Sequence, residues 1–207
     1  MHVYRRVRML KEKIQKYISE KISQSTTEGV VLFREELEYA EQNQLSGENH
    51  FVEKDANTRF AGAYIERCDK ETENMLKNET SLFLSESLQY LKKHKNEFIY
   101  LESKWFDFVN VEAISLEADD VFGTYDVMLG LKLQKKYDQK LREFLNGQLY
   151  GEEAAFDLMF SNEDGLWNLN FALNYVEGFR EDMTMGEAFQ LIYHFLFKLM
   201  EAVEKAQ

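Results

Sequence analysis

The fold is decided most clearly by residues 156–175, which read FDLMFSNEDGLWNLNFALNY. Over 167–175, large apolar residues alternate with small or polar ones. A period of two is typical of a strand that is buried on one face only. Phe156, Leu158 and Phe160 show the same period, and the residues NEDG between the two segments favour a type I′ turn at Asp-Gly. The stretch therefore predicts a β-hairpin.

The predicted hairpin has one apolar face and one polar face. In the expected register, Phe160 lies opposite Leu169 and Leu158 lies opposite Phe171, so one face is continuously apolar. The other face carries polar residues and one methionine: Asp157, Met159, Asn168, Asn170 and Asn174. Because asparagine is a poor strand former, three asparagines on one face predict that this face is not core. It is either a solvated face or a surface that binds a partner.

A capped helix is predicted after the hairpin. Thr184 and Glu187 have the spacing of a capping box. An apolar stripe follows on one helix face: Phe189, Ile192, Leu196, Leu199 and Val203. The same order of elements occurs earlier, where residues 125–133 alternate like a strand and a helical pattern follows. The sequence thus predicts two strand–strand–helix units, over 106–147 and 155–205.

A long helix is predicted over 57–95, before these units. Residues recur there at helical spacing: Ala61, Ile65, Cys68, Thr72, Met75, Leu76, Leu82 and Phe83. A further short strand is expected at 98–101. Each unit has an apolar sheet face that a helix can cover. The predicted fold is therefore α+β, with an antiparallel sheet of about five strands packed against helices and an N-terminal helical region.

Residues 1–24 predict an amphipathic basic helix. Its apolar residues recur at alternating spacings of four and three: Val3, Val7, Leu10, Ile14 and Tyr17. We expect this helix to pack on the acidic body of its own chain; a helix–helix dimer contact and a membrane-surface helix are the alternatives. Met9 also begins a helical pattern, so residues 1–8 are either native or a start-site extension. The predicted organisation is this helix followed by a single α+β domain, 25–207.

Residues 28–43 fit two structures. The segment GVVLF at 29–33 suits a short strand. One helix face is also apolar, with Val30, Phe33, Leu37 and Ala40. We favour a helix over 33–43, and the choice between helix and strand stays open for the rest.

The charge of the chain excludes one class of partner. The net charge is −12 at pH 7, and residues 1–24 carry +5, which leaves −17 on the rest. Such a body repels phosphate backbones, so nucleic acid is not expected as the main ligand. No apolar run is long enough to predict a transmembrane helix. A lone cysteine, Cys68, and the lack of a secretory signal pattern predict a cytoplasmic protein.

The sequence contains no motif that carries recognisable chemistry. Four histidines and Cys68 lie far apart, so no metal site is expected. Neither a glycine-rich phosphate loop nor a G-x-S-x-G elbow occurs, so no cofactor is expected. Carboxylates are the remaining candidates. Asp126 and Asp157 fall on polar strand faces, where a pair of carboxylates at suitable spacing can perform acid–base chemistry.

The leading hypothesis is a non-catalytic protein-binding module, chaperone-like or regulatory, that binds a protein partner or a second copy. The candidate surface joins the polar hairpin residues to Asp126 and Met128, since methionine adapts to varied partners. In predicted element order (helix, three strands, helix, two strands, helix), residues 57–205 resemble the small acidic secretion chaperones; this resemblance covers no motif and assigns no residue. The alternatives are a small enzyme with an acidic carboxylate site and an acidic mimic or immunity-type inhibitor of a basic partner.

Overall fold

The structure is a computed structural model that describes residues 9–24, 29–45, 47, 49–151 and 155–205. It shows an α+β protein built on a seven-stranded antiparallel sheet, with helices before the sheet in the N-terminal region and others towards the C-terminus. The α+β class is therefore confirmed. The predicted number of about five strands is wrong, because two further strands precede the five that the sequence pattern indicates.

Two short strands, β1 (Val30–Leu32) and β2 (Phe51–Glu53), pair in parallel outside the main sheet. The main sheet consists of β3 (Tyr64–Asp69), β4 (Met75–Glu79), β5 (Glu97–Glu102), β6 (Val111–Ala118), β7 (Tyr125–Leu131), β8 (Phe156–Ser161) and β9 (Leu166–Ala172). Its strand order is β4-β3-β5-β6-β7-β9-β8, and all neighbours are antiparallel. Burial alternates along β7 and β9, as the sequence pattern predicts.

The described residues form five α-helices: α1 (Leu10–Gln24), α2 (Arg34–Gln42), α3 (Tyr90–Lys93), α4 (Asp138–Gln148) and α5 (Met185–Glu204). Short 3-10 helices lie between some of these elements, including Ala56–Thr58, Ser81–Ser85 and Leu173–Tyr175. Among the helices that the structure describes, none is both long enough and apolar enough to cross a bilayer.

The predicted long helix over 57–95 is wrong. Strands β3 and β4, two 3-10 helices and α3 occupy most of this segment. Ile65 and Cys68, which suggested a helix face, are both buried but lie in β3. Strand β4 is exposed along almost its whole length, so no alternation of apolar residues marks it in the sequence. The element order behind the resemblance to secretion chaperones is therefore not the order observed.

The C-terminal hairpin is formed by β8 and β9, but its register differs from the prediction. Phe160 lies opposite Trp167, and Leu158 lies opposite Leu169. The connection is a four-residue loop closed by a hydrogen bond of 2.9 Å from Gly165 N to Ser161 O, instead of a two-residue turn. Each partner is shifted by two positions from the predicted one. Because side chains alternate with a period of two, the shift leaves every residue on its predicted face.

Helices α4 and α5 cover one face of the sheet, which we call the inner face. Phe195 of α5 packs against Phe171 of β9 at a ring-centroid distance of 4.9 Å and against Phe144 of α4 at 5.3 Å. The predicted capping box of α5 is confirmed. Thr184 Oγ1 accepts a hydrogen bond of 3.2 Å from Glu187 N, and Glu187 Oε2 accepts one of 2.7 Å from Thr184 N. The cap fixes the start of the helix that seals the core.

The N-terminal region, which we call the arm, consists of α1, β1, α2 and β2. Leu10, Ile14 and Ile18 of α1 are buried in the same apolar core as the sheet. Both structures considered for residues 28–43 occur, since β1 is followed directly by α2. Residues 1–8 lie outside the described residues. The division into a basic helix, 1–24, and a domain, 25–207, stays a prediction.

A buried charge network, which we call the latch, holds the arm on the body. The guanidinium of Arg59 donates hydrogen bonds of 2.7 and 2.9 Å to Glu36 and one of 2.6 Å to Glu35. Tyr193 of α5 donates a hydrogen bond to Glu36, and His194 Nδ1 lies 3.1 Å from Glu35 Oε1. Burial alone would raise the pKa of Glu35, but His194 and Arg59 outweigh burial and lower it. The latch thus joins α2, the segment before β3 and α5.

Candidate functional site

The second face of the sheet, which we call the outer face, is open to solvent. Its central part is formed by Tyr100, Ser115, Glu117, Asp126, Met128, Gly130, Asp157, Met159, Asn168 and Asn170. All of these residues are exposed or half-buried. Their neighbours along the same strands are buried on the inner face, as Leu116, Val127 and Leu169 show. The sheet therefore offers a broad polar surface that the core does not use.

Six of the seven residues predicted to form a partner-binding surface lie together on the outer face. They are Asp126 and Met128 of β7, Asn168 and Asn170 of β9, and Asp157 and Met159 of β8. Asn170 lies between Met128 and Asp157 across the strands. Asn168 lies beside Met159 in the next row. The geometry makes them one surface; their role in binding stays a prediction.

Asn174, the seventh residue, lies elsewhere. It belongs to the 3-10 helix Leu173–Tyr175 that follows β9. Its Oδ1 accepts a hydrogen bond of 2.7 Å from Tyr125 N. Asn174 therefore secures the start of β7, because it satisfies a backbone donor there. The period-two pattern places it on the polar face only because the strand is assumed to continue beyond Ala172.

An open groove of about 520 Å³ crosses the middle of the outer face. This first groove is lined by, among others, Tyr100, Ser115, Met128, Asp157, Asn168 and Asn170. Gly130 lies in its lining, and a Cβ added there would meet only the Leu166 side chain, at 3.4 Å. A glycine inside a strand often marks close approach by another backbone or a ligand. Gly130 contributes no side chain to the groove, and the Leu166 side chain borders the groove at this position.

A second open groove, of about 560 Å³, adjoins the first at the end of β7 and β9. Its lining includes Phe122, Asp126, Phe156, Asp157, Asn170 and Tyr175. Asp157 and Asn170 belong to both grooves, so the two form a continuous depression over β7, β9 and β8. Aromatic rings and carboxylates therefore line the same recess.

The β6–β7 turn forms one wall of the second groove and carries two exposed apolar side chains. Val121 is 81% exposed and Phe122 is 82% exposed. The turn is well defined by hydrogen bonds, because Asp119 Oδ1 accepts from Val121 N at 2.8 Å and also from Phe122 N. Gly123 N donates to Asp119 O at 3.2 Å. The hydrogen-bonded backbone of the turn thus presents an aromatic ring to solvent beside the second groove.

Two carboxylates lie directly opposite each other beside this turn. Glu117 of β6 faces Asp126 of β7, and Lys70 Nζ forms an ion pair of 3.3 Å with Glu117. Burial raises the pKa of Glu117, and the negative charge of Asp126 adds to the rise. Burial likewise raises the pKa of Asp126, and Asp119 adds to it. Since like charges opposite each other destabilise a strand pair, this is an electrostatically unfavourable point of the sheet.

The two carboxylates considered for acid–base chemistry are well separated in the sheet. Asp126 and Asp157 lie two strands apart and are offset by one row, which places their Cα atoms roughly 12 Å apart. Both line the second groove. Among the residues that the structure describes, no group of three His, Cys, Asp or Glu side chains is arranged to hold a metal ion.

Cys68 lies at the far side of the outer face, in β3. Its side chain is 3% exposed, and burial together with Glu66 raises the pKa of its thiol to about 11. A thiol with such a pKa is protonated at neutral pH and is a poor nucleophile. Cys68 therefore takes no part in the candidate site.

Sequence reasoning missed three features of this site. Gly130 carries a signal, because a glycine inside an alternating strand is unusual. Phe122 carries a weaker one, since an aromatic residue in a short turn has little to pack against. The opposition of Glu117 and Asp126 depends on the register of β6 and β7, which the sequence does not reveal. The structure is thus the source for all three.

The site as a whole is an open, polar and acidic surface with a glycine-lined floor and an exposed aromatic ring. Two of its carboxylates, Glu117 and Asp126, face each other beside the β6–β7 turn. No known protein family, curated protein or solved structure matches this chain.

Proposed function

We propose that this protein is a non-catalytic protein-binding module that takes a segment of its partner in the two grooves of the outer face. The observation that carries the proposal is the continuous depression over β7, β9 and β8, to which Gly130 contributes no side chain. The polar residues of this surface contribute little to the stability of the fold. We therefore assign them a role in binding a partner. The partner is another protein or a second copy of this chain.

The side chains around the first groove support this proposal. Asn168 and Asn170 present amide groups that both donate and accept hydrogen bonds, as an extended peptide backbone requires. Met128 and Met159 offer flexible apolar contacts that suit partners of varied shape. Met159 is 59% exposed, so it is available for such a contact. We place the activity in the cytoplasm, because the lone cysteine gives no disulfide framework.

The test compares partner capture by matched variants of the purified full chain. Quantitative mass spectrometry measures which proteins the wild type retains from an extract of its own host. Two groove variants, Asn168→Lys with Asn170→Lys and Gly130→Val, should each lose about tenfold or more of a specific partner, because they fill or charge the groove. The control, Asn146→Lys with Gln148→Lys, makes the same charge change on exposed positions of α4 and should retain it.

A partner retained equally by all four proteins would contradict the proposal. Point variants are preferable to removal of residues 1–24, because that deletion would take Leu10, Ile14 and Ile18 out of the core. A loss after such a deletion would report unfolding as readily as binding.

A small enzyme is the second candidate, favoured by the raised pKa of Asp126 in a groove of about 560 Å³, burial being the main cause. Two carboxyl groups that interact closely in an acid–base site influence each other's titration. Carboxyl NMR titration of Asp126 and Asp157, repeated in Asp157→Asn, separates the two functions. A shift in the Asp126 titration on removal of Asp157 would favour the enzyme; an unchanged curve would leave the binding module. The acidic mimic of a basic partner stays a third hypothesis.

A further inference from the structure

We propose, on the basis of the binding function proposed above, that the second groove takes an extended cationic segment of the partner protein. In this arrangement an apolar side chain of the segment packs against Phe122, and a Lys or Arg two residues away approaches Glu117 and Asp126. The first groove then holds the continuation of the same segment.

Phe122 provides the apolar contact. The ring of Phe122 is 82% exposed and lies next to Val121 at 81%, so the turn presents two apolar side chains that a partner can cover. The Asp119 hydrogen bonds fix the turn before binding, so little conformational freedom is lost when a partner arrives. Aromatic side chains held in this way are typical anchors of protein interfaces.

The charge of the second groove determines which kind of segment can bind there. Glu117 and Asp126 face each other, and Lys70 pairs with Glu117 and also donates a hydrogen bond of 2.5 Å to Ala118 O. Among the described residues no cation forms an ion pair with Asp126 itself, although Lys70 acts on it electrostatically, and Asp126 Oδ1 accepts a hydrogen bond of 3.0 Å from Thr124. A guanidinium or ammonium group placed here would relieve the repulsion.

The rest of the depression has the same sign. Asp157 adds a carboxylate at the junction of the two grooves. Lys132, the lysine that lines the first groove, already forms an ion pair of 2.6 Å with Glu112. An acidic segment would therefore meet repulsion in the second groove and no free cation in the first.

The dimensions fit an extended segment. The depression runs from β6 to β8, which is about 14 Å at the spacing of neighbouring strands. Side chains at positions i and i+2 of an extended segment point the same way and lie about 7 Å apart. The expected recognition pattern is therefore apolar–any–basic, with the apolar residue over Phe122.

Three synthetic heptapeptides test the pattern against the full chain. Each alternates serine with test residues, which are Lys-Phe-Lys, Glu-Phe-Glu or Lys-Ser-Lys. Amide NMR shifts are followed in about 0.02 M and about 0.3 M salt. We expect the Lys-Phe-Lys peptide to give saturable shifts around Phe122 and Asp126 that weaken at high salt. The other two should bind at least about tenfold more weakly.

Matched variants locate the contacts. Phe122→Ser and Asp126→Asn should each weaken the Lys-Phe-Lys peptide several-fold. Leu82→Ser removes an apolar side chain that is 79% exposed near the opposite edge of the sheet, and Asp182→Asn removes a carboxylate that is 84% exposed. Neither control should change binding. Equal losses in the controls would overturn the assignment of the site.

The outcomes separate this inference from the function on which it rests. If the Glu-Phe-Glu peptide binds as tightly, or if no saturable shift appears up to about 2 mM peptide, the cationic segment is excluded. In that case a partner captured through Gly130 and Asn168 would still support the binding module. If the groove variants capture the partner as the wild type does, the proposed binding function is contradicted, whatever the result of the peptide titrations.

Discussion

The inner and outer faces of the sheet are made by alternate residues of the same strands, yet they have opposite relations to stability. In β9, Leu169 is 2% exposed beneath the helices, whereas its neighbour Asn168 is exposed in the first groove. Burial of the inner-face side chains stabilises the fold, whereas the outer-face side chains stay accessible to a partner. A substitution on one face should therefore affect folding, and a substitution one residue away should affect binding alone.

The largest effect on the free energy of unfolding is expected at the latch, on the covered side of the sheet. Arg59→Met leaves Glu36, which is 0% exposed, buried without its cation. Removing one partner of a buried ion pair costs about 3–5 kcal/mol of unfolding free energy. Urea denaturation measures the loss. Arg34→Ala breaks an exposed pair with Glu38 and should leave the free energy of unfolding almost unchanged, because solvent screens the pair. Similar losses in the two variants would refute the role of the latch.

The next effect compares adjacent residues of β9. Leu169→Ala opens a cavity in the inner face and should destabilise the protein by about 2–5 kcal/mol. Asn168→Ala should stay within about 0.5 kcal/mol, because the residue is exposed and the structure gives its side chain no role in the core. Thermal and urea unfolding of both variants check the difference. Comparable destabilisation would mean that the outer face is covered in solution.

A smaller effect, of opposite sign, is expected at Gly130. Gly130→Val adds a β-branched residue to a strand interior, where glycine costs roughly 0.5–1 kcal/mol. The new side chain meets only Leu166, so we expect the variant to be as stable as the wild type or slightly more stable. Urea denaturation shows this directly. A large loss of stability would remove Gly130→Val from use as a binding probe and would place the groove floor in the core.

The smallest effect concerns pH. Burial raises the pKa of Asp126, so the folded state binds more protons there than the unfolded state does. Its contribution to stability is therefore full below the ordinary pKa and is lost as pH rises through the raised one. Asp126→Asn should abolish this loss and gain a few tenths of a kcal/mol at neutral pH, with no gain in acid. Asp157→Asn is the matched control, and equal gains would contradict the assignment.

Sequence reasoning captured the parts of the fold in which a residue pattern has a single structural explanation. The alternation in β7 and β9 follows from a sheet buried on one side, and Thr184 with Glu187 is a local motif that needs no tertiary information. The six outer-face residues were placed together because a register error of two preserves the face. The polar surface was thus predictable, although its register was not.

The parts that were missed depend on contacts distant in sequence. β4 has no buried alternation to reveal it, since it is an exposed edge strand. The spacing of three between Ile65 and Cys68 is typical of a helix, whereas in β3 it places the two buried side chains on opposite faces of the sheet. The latch joins Glu36, Arg59 and Tyr193, and no local pattern links them. The grooves likewise arise from three strands whose order, β7-β9-β8, only the folded chain defines.

The contacts between the arm and α5 have a consequence for folding during synthesis. Glu204 at the end of α5 accepts hydrogen bonds from the backbone N–H of Lys11 and from Tyr39, so the first helix binds the last one. At about 5–20 residues per second, a ribosome needs roughly 8–30 s to travel from the arm to α5. Throughout that interval α1 lacks the contacts that it makes with α5 in the folded protein. The fold is complete only after α5 has been synthesised. A chain whose synthesis stops before α5 exposes apolar residues of α1 that the folded protein buries.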